Sequence, residues 1–323
     1  MVTEQSFDIC LNIRCASSRH ESMGVLMKET EWDYFQTCKV FIVTGANSGI
    51  GKETVKGLIK RKARVIMACR NMNYAKARCA AIPMHLDLAS FSSVRSFAEE
   101  VKSTFPQVHV LINNAGVYTN EIQRTEDGFE SQLQINHLGH FLLTNLLLDH
   151  LKKSAPSRVV IVTSTLHETG VIDFENLNAE KGWPKNNTRA GYKNSKLANM
   201  YFCQELTRRS VGTDISVFAV CPGLCYTNLF KNMKWYHYIF ALPVAFLYLR
   251  SAEQVSKAIQ KNPLLLHAFP AWIGMDSLAV RCAFPKGVYL CKQMKIIKTT
   301  SWIVFELKDS IQNDATANCA KRL

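Results

Sequence analysis

The sequence predicts an α/β protein, a doubly wound parallel sheet with helices on both faces, and three observations carry that expectation. From Lys39 onward, short β-branched runs alternate with longer amphipathic stretches. The runs VFIV, VLI and VVIV are apolar throughout rather than alternating, as strands buried on both faces are. A glycine-rich turn stands directly between the first run and the first amphipathic stretch.

KVFIVTG opens the sheet and a helix follows over roughly 50–61. ARVIMACR and MHLDL are the second and third strands, followed by a helix over 91–104. HVLINNAG is the fourth strand, and a helix over 126–153 leads to RVVIVTS, the fifth. A helix over 190–210 leads to ISVFAVCPG, the sixth, and GVYL near 287 offers a seventh. No internal repeat or low-complexity segment interrupts the order.

The chain has 323 residues, of which 47% are apolar, enough for one large domain with tails. Lys and Arg number 39 against 26 Asp and Glu, a net charge of +13 that suits an anionic partner such as a cofactor phosphate or a lipid headgroup. The basic residues are scattered and form no block interleaved with aromatics, so nucleic acid is not expected as a partner. Eleven cysteines without a CxxC pair argue for a reducing, intracellular compartment. Cys221 and Cys225 are expected to be buried or pocket-lining thiols, and the sequon Asn186-Asn187-Thr188 to be unused. Residues 1–38 hold no apolar stretch of secretory or membrane-anchor length, and no metal site is expected. His137 and His140 stand three apart without a third ligand nearby, which favours helix packing.

Tyr192 and Lys196 are four residues apart in AGYKNSKLAN, behind Ser164 at the end of RVVIVTS and Asn136 in INHLGHF. On a helix, positions i and i+4 share a face, so an ammonium at 196 can sit beside a phenol at 192 and favour its ionised form. These four can make a tyrosine acid/base for hydride transfer. Lowering a phenol from about 10 to near 7 takes roughly 4 kcal/mol. One cation at about 4 Å in an effective dielectric near 20 supplies about that much. A Tyr and Lys at this spacing are common on helix surfaces, and Ser164 or Asn136 alone could merely end a strand or cap a helix. Their concurrence is what carries the reading. No GxSxG elbow surrounds Ser164, so His167 is expected as a pocket wall rather than the base of a Ser-His nucleophile.

In KVFIVTGANSGIGKET, the turn around Gly45, Asn47, Ser48, Gly49, Ile50 and Gly51 lets backbone approach a pyrophosphate at a helix N-terminus. The spacing is GxxxGxG, and with NNAG at 113–116, Asn136, Ser164, YxxxK at 192–196 and Pro222-Gly223 it resembles the short-chain dehydrogenase/reductase superfamily over roughly 39–230. TGANSGIGKET, MACRN, LDLAS, VLINNAGV, DGFE, NHLGHFLLT, SAPSRVV and YKNSKLAN look most like its retinol dehydrogenase group, the microsomal retinal reductases. The resemblance implies a Rossmann-like single domain over 39–260, with an N-terminal extension at 1–38 and a divergent segment at 261–323 that includes the GVYL strand.

The second strand ends Ala68-Cys69-Arg70-Asn71, where a carboxylate would suit the ribose hydroxyl of NAD and a guanidinium suits a 2′-phosphate. NADP(H) is therefore expected rather than NAD, with Arg70 as clamp and Lys52 as a weaker candidate. The resemblance places Asp87 and Leu88 at the adenine, although Asp87 could equally cap the next helix. It places Asn113, Ala115 and Gly116 against the ribose, and Pro222, Gly223 and Thr227 over the nicotinamide. Ser164 then donates to the substrate carbonyl, Tyr192 delivers the proton, Lys196 also reaches the ribose, and Asn136 holds a water linking Lys196 to solvent.

WYHYIFALPVAFLYL, residues 235–249, follows at the position of the family's mobile substrate segment. It is a candidate lid over an apolar carbonyl or alcohol, retinal/retinol first and steroids or lipid-derived aldehydes next. The same stretch is a candidate peripheral contact with a membrane such as the endoplasmic reticulum, cytoplasmic residence being the alternative. The helices after the fourth and fifth strands are where family members often form homodimers. The resemblance frays in three places, one being the missing N-terminal anchor that relatives often carry. Only sixteen residues between Arg70 and Asp87 must supply a helix and a strand, with Pro83 in that strand, and the chain after about 260 has no clear counterpart. Those departures leave open a dinucleotide-binding scaffold with little or no catalysis.

Overall fold

The computed structural model describes residues 39–72, 81–184, 187, 189–222, 252–253, 256, 281–284 and 287–290, the last eight by backbone alone. Among the described residues eight strands form one sheet: β1 Val40–Thr44, β2 Arg64–Cys69, β3 Ala81–His85, β4 Val110–Asn113, β5 Ser157–Val162, β6 Ile215–Val220, β7 Arg281–Phe284 and β8 Gly287–Leu290. Their order is β3-β2-β1-β4-β5-β6-β7-β8, parallel from β3 to β7, with β8 antiparallel to β7. The strand order reverses between β1 and β4. A crevice therefore opens beyond their carboxyl ends, where open α/β sheets bind ligands.

Among the described residues five α-helices accompany the sheet: α1 Gly49–Lys60, α2 Phe91–Thr104, the single turn α3 Ser131–Leu133, α4 Gly139–Lys153 and α5 Ala190–Arg209. Alternate residues of each strand point to opposite faces, and both faces are covered. Ile42 and Leu111 pack with Phe97, Phe141, Leu147 and Phe202 on the side of α2, α4 and α5. Phe41, Val43 and Ile112 pack with Val55 and Leu58 of α1 on the other. All five residues of β1 are buried, which is why that run reads as continuously apolar.

Three expectations need correction. The helix foreseen over 126–153 begins only at Ser131, because Gly128 adopts φ 83° in a turn and Glu130 turns its carboxylate to the Leu133 N–H at 2.8 Å. The helix then passes through a π-helical turn, Gln134–Leu138, before α4. The third strand lies at 81–85 rather than 84–88, since Asp87 Oδ1 accepts from the Ala89 N–H at 2.9 Å and bends the chain out of the sheet. Pro83 does lie within it, and β3 is an edge strand, where a missing donor is tolerated. The strand near 287 is the outer arm of an antiparallel pair; its partner β7, next to β6 through Ala219↔Cys282, was not foreseen.

Candidate active site

The turn after β1 is built around two glycines. Gly45 has φ 64°, and a Cβ on it would meet the Ala115 Cα at 3.0 Å. At Gly51 a Cβ would stand 2.3 Å from the Gly45 carbonyl oxygen and 2.6 Å from Asn114 Nδ2. Ser48 is the N-cap of α1 in extended conformation but makes no side-chain capping bond, so it does not cover the first-turn N–H groups of Gly49, Ile50 and Gly51. Asn47 Nδ2 reaches the Asn71 carbonyl at 3.5 Å, tying this turn to the end of β2, where Arg70 is exposed.

Thr44, which the sequence reading passed over, fastens the next loop. Its hydroxyl oxygen accepts from the N–H groups of Asn114 and Ala115, both at 2.9 Å, and Asn114 Nδ2 donates to the Thr44 carbonyl at 2.8 Å. A hydroxyl at the last strand residue before the glycines was the available signal. Asn113 does not present its side chain to the crevice: it is buried, with Nδ2 donating to Thr144 Oγ1 on α4 at 2.9 Å and Oδ1 lacking a partner. Leu88 is likewise buried, against Gly139 of α4, where a Cβ would meet the Leu88 carbonyl oxygen at 2.8 Å. Ala115 and Gly116 stay at the rim.

Tyr192 and Lys196 lie on the first turns of α5, and both are buried. Lys196 Nζ donates to the Val162 carbonyl at the end of β5 at 3.1 Å and stands 5.6 Å from the centroid of the Tyr192 ring. Ser164, two residues past β5, stands near the Tyr192 phenol, whose ionised form its hydroxyl favours. Tyr118 meets the Tyr192 ring edge-on, with centroids 5.6 Å apart. Sequence, topology and geometry thus bring Ser164, Tyr192 and Lys196 together beside the Gly45 turn and Gly116.

Burial pushes the Tyr192 phenol up to about 12, against the downward pull of the Ser164 bond and with Cys221 adding to the rise. Burial also brings Lys196 down to about 8, with Cys221 opposing. The expected descent of the phenol toward 7 does not occur in the chain by itself. Burial of the phenol outweighs the downward pull of Ser164. Cys221 is fully buried, as foreseen for a lining thiol, and Pro222 beside it is buried too. Cys225, Gly223, Thr227 and the 235–249 segment lie outside the described residues.

Asn136 occupies the π turn, and its side chain joins neighbouring elements. Nδ2 donates to the Val117 carbonyl and to Ser195 Oγ, both at 3.0 Å, while Oδ1 accepts from the Val117 N–H at 2.8 Å. Its main-chain oxygen accepts from Asn199 Nδ2 at 3.0 Å and His140 Nδ1 at 3.2 Å. Two bonds fill a carbonyl's two lone pairs, so this oxygen cannot be where the foreseen water is held. The remaining acceptor capacity is on Oδ1, which faces Gly116: a Cβ there would lie 3.4 Å from Oδ1 and 3.5 Å from Lys196 Nζ. His167 is buried in the turn after Ser164, its Nδ1 on the Ser164 carbonyl, and so supports that turn rather than walling an open pocket. Among the described residues no helix is long and apolar enough to cross a membrane.

The family model for short chain dehydrogenase matches residues 39–235. Retinol dehydrogenase 13 of Homo sapiens is 47% identical over 204 residues, 60% of this chain and 61% of the relative. Retinol dehydrogenase 14 of Mus musculus is 45% identical over 215 residues, 60% of this chain and 64% of the relative. The match with each of these two thus spans less than two thirds of its length. Among solved structures, a protein of Mycobacterium paratuberculosis superposes with TM-score 0.63 at 29% identity, covering 87% of this chain and 97% of that one. A short-chain type dehydrogenase/reductase from Mycobacterium marinum superposes with TM-score 0.59 at 18% identity over 72% and 90%, a likeness of fold. With its glycine turn, crevice and Ser-Tyr-Lys cluster in place, the chain belongs to the short-chain dehydrogenase/reductase family, in its retinol dehydrogenase-like group.

Proposed function

We propose that this protein is an NADP(H)-dependent oxidoreductase interconverting an apolar carbonyl compound and its alcohol, with retinal/retinol as the favoured pair. The observation that carries the proposal is the buried Tyr192 ring with the Lys196 ammonium 5.6 Å from its centroid and Ser164 near its phenol, beside a turn that admits only glycine at 45 and 51. Retinoids are suggested by the names of relatives at 45% and 47% identity.

The residues present fit a dinucleotide. Backbone of Gly45, Asn47 and Ser48 and the first-turn N–H groups of Gly49, Ile50 and Gly51 would hold the pyrophosphate, and Arg70 the 2′-phosphate. Ala115, Gly116 and the backbone of Asn113 would flank the ribose, with Asp87 and the backbone of Leu88 at the adenine and Pro222, Gly223 and Thr227 at the nicotinamide. NADPH supplies the hydride. Ser164 turns its hydrogen from the phenol to the substrate oxygen, and Tyr192 donates its proton there as negative charge develops. Lys196 would hold the ribose and stabilise the phenolate that remains. The notch between Gly116, Asn136 Oδ1 and Lys196 suits a water that returns the proton. We take the catalytic unit to be residues 39–260, extended by β7 and β8.

Purified full-length protein with NADPH should reduce all-trans-retinal, and Tyr192→Phe should abolish turnover while NADPH still binds. A Phe variant that keeps most of the rate would exclude Tyr192 as the acid. Arg70→Ala should weaken NADPH by about tenfold or more, the worth of a charge-assisted pair, and leave NADH within about threefold. Equal losses for both dinucleotides would overturn the NADP assignment.

A further inference from the structure

Between the dinucleotide turn and α5 lies a buried chain of hydrogen bonds whose central member is His140, a residue that the chemistry above does not use. Its direction follows from counting. The Thr44 hydroxyl oxygen already accepts from Asn114 and Ala115, so its one hydrogen must be given away. The nearer acceptor is His140 Nε2 at 2.8 Å, the Ile112 carbonyl being 3.4 Å off. Nε2 is thereby the bare nitrogen. The proton of the neutral ring then sits on Nδ1 and is donated to the Asn136 main-chain oxygen at 3.2 Å.

From Asn136 the chain continues into the catalytic helix. Asn136 Nδ2 donates to Ser195 Oγ at 3.0 Å, and that hydroxyl donates to the Tyr192 carbonyl at 2.8 Å. A second arm steadies the same oxygen: His137 Nδ1 pairs with Asn199 Oδ1 at 3.0 Å, which aims Asn199 Nδ2 at Asn136. His140 is only 2% exposed, so neither bond can be replaced by bulk water without opening the core.

We propose that His140 is a positioning residue with two separable tasks. Through Nε2 it holds Thr44, and with it the Asn114–Ala115 backbone against which the cofactor lies; through Nδ1 it holds Asn136, and with it the first turn of α5 that carries Tyr192. This rests on the oxidoreductase reading above and adds to it a residue that touches neither cofactor nor substrate.

The two tasks predict a split that a space-filling role does not. Three full-length variants are compared by NADPH affinity, from fluorescence without substrate, by kcat with retinal, and by thermal midpoint. His140→Phe keeps the ring and removes both bonds; kcat should fall about thirtyfold and NADPH Kd rise about fivefold, in the range that small misplacements cost. His140→Asn, whose amide nitrogen can stand in for Nδ1, should recover most of kcat relative to the Phe variant while Kd stays weak. His140→Gln, reaching Thr44 in place of Nε2, should recover Kd but not kcat. Parallel losses of kcat and Kd that track the thermal midpoint across all three, or a Phe variant with both constants unchanged, would overturn the proposal. If the parent protein binds NADPH but turns over no carbonyl compound, the oxidoreductase reading fails on its own; the order of Kd values, Gln near parent and Asn near Phe, still decides the Thr44 task.

Discussion

Tyr192 is held protonated, up to about 12 by burial, and that sets which direction of the reaction feels pH. Carbonyl reduction uses the phenol in the form it already has, so kcat/KM for reduction should vary by less than about threefold across neutral pH. Alcohol oxidation needs the phenolate, the minor form, and should gain about tenfold per pH unit over the same range until another group intervenes. Measuring both directions from about pH 6 to about pH 8 checks the assignment; oxidation that is flat with pH would exclude Tyr192 as the base. These residues were legible in the sequence because each role demands one chemical type at a fixed spacing. The energetic balance was not legible: the i, i+4 spacing predicted proximity of Lys196 and Tyr192 correctly, but nothing in it reported that both would be buried together. Thr44, His140 and Asn199 escaped for a related reason, since their partners are 70, 96 and 63 residues away in the chain.

Among the elements, α5 depends on a close fit at its start. A Cβ on Gly191 would meet Gln132 Nε2 at 2.6 Å and Trp183 Cζ2 at 2.8 Å, and Gln132 itself holds the Thr119 N–H at 3.1 Å. Gly191→Ala should therefore shift the turn that carries Tyr192, costing about 1–3 kcal/mol of stability as overpacking does. Turnover per folded molecule should fall as well, which kcat corrected for the folded fraction would show; an unchanged corrected kcat would mean that the clash relaxes away from Tyr192. Strand cores such as VFIV and VVIV announced themselves through unbroken apolar runs. Boundaries set by capping did not: the carboxylates of Asp127 and Glu130 look like an acidic helix start, yet Asp127 Oδ2 takes the Phe91 N–H at 2.8 Å and Glu130 closes the turn before α3. The π turn at Asn136 has no sequence signature because it arises from partners elsewhere, the carbonyl of Asn136 being bonded by side chains of α4 and α5.

For the molecule as a whole, the buried histidines fix an acid limit. Burial lowers His137 from 6.5 to about 4 and His140 from 6.5 to about 3, so both stay neutral in the fold. A histidine with a depressed folded value contributes its full stability above the unfolded value and loses it as pH falls, because the unfolded chain takes up the proton first. Stability should drain from pH 6.5 down to about 4 for His137 and about 3 for His140, by up to roughly 1.4 kcal/mol per pH unit for each group. Thermal midpoints measured from about pH 7 to about pH 4 should fall accordingly, and His137→Gln should flatten the slope; a parent curve already flat would mean that these rings protonate without unfolding. The first six strands could be read from sequence, β3 with shifted bounds, whereas β7 could not, its Cys-Ala-Phe run being too short to mark a strand. At the opposite border, Pro83 interrupts the row of amide donors that β3 would otherwise offer to a neighbouring molecule. A foreign chain seeking to add itself to that border meets a gap in the ladder, so β-type aggregation is discouraged there.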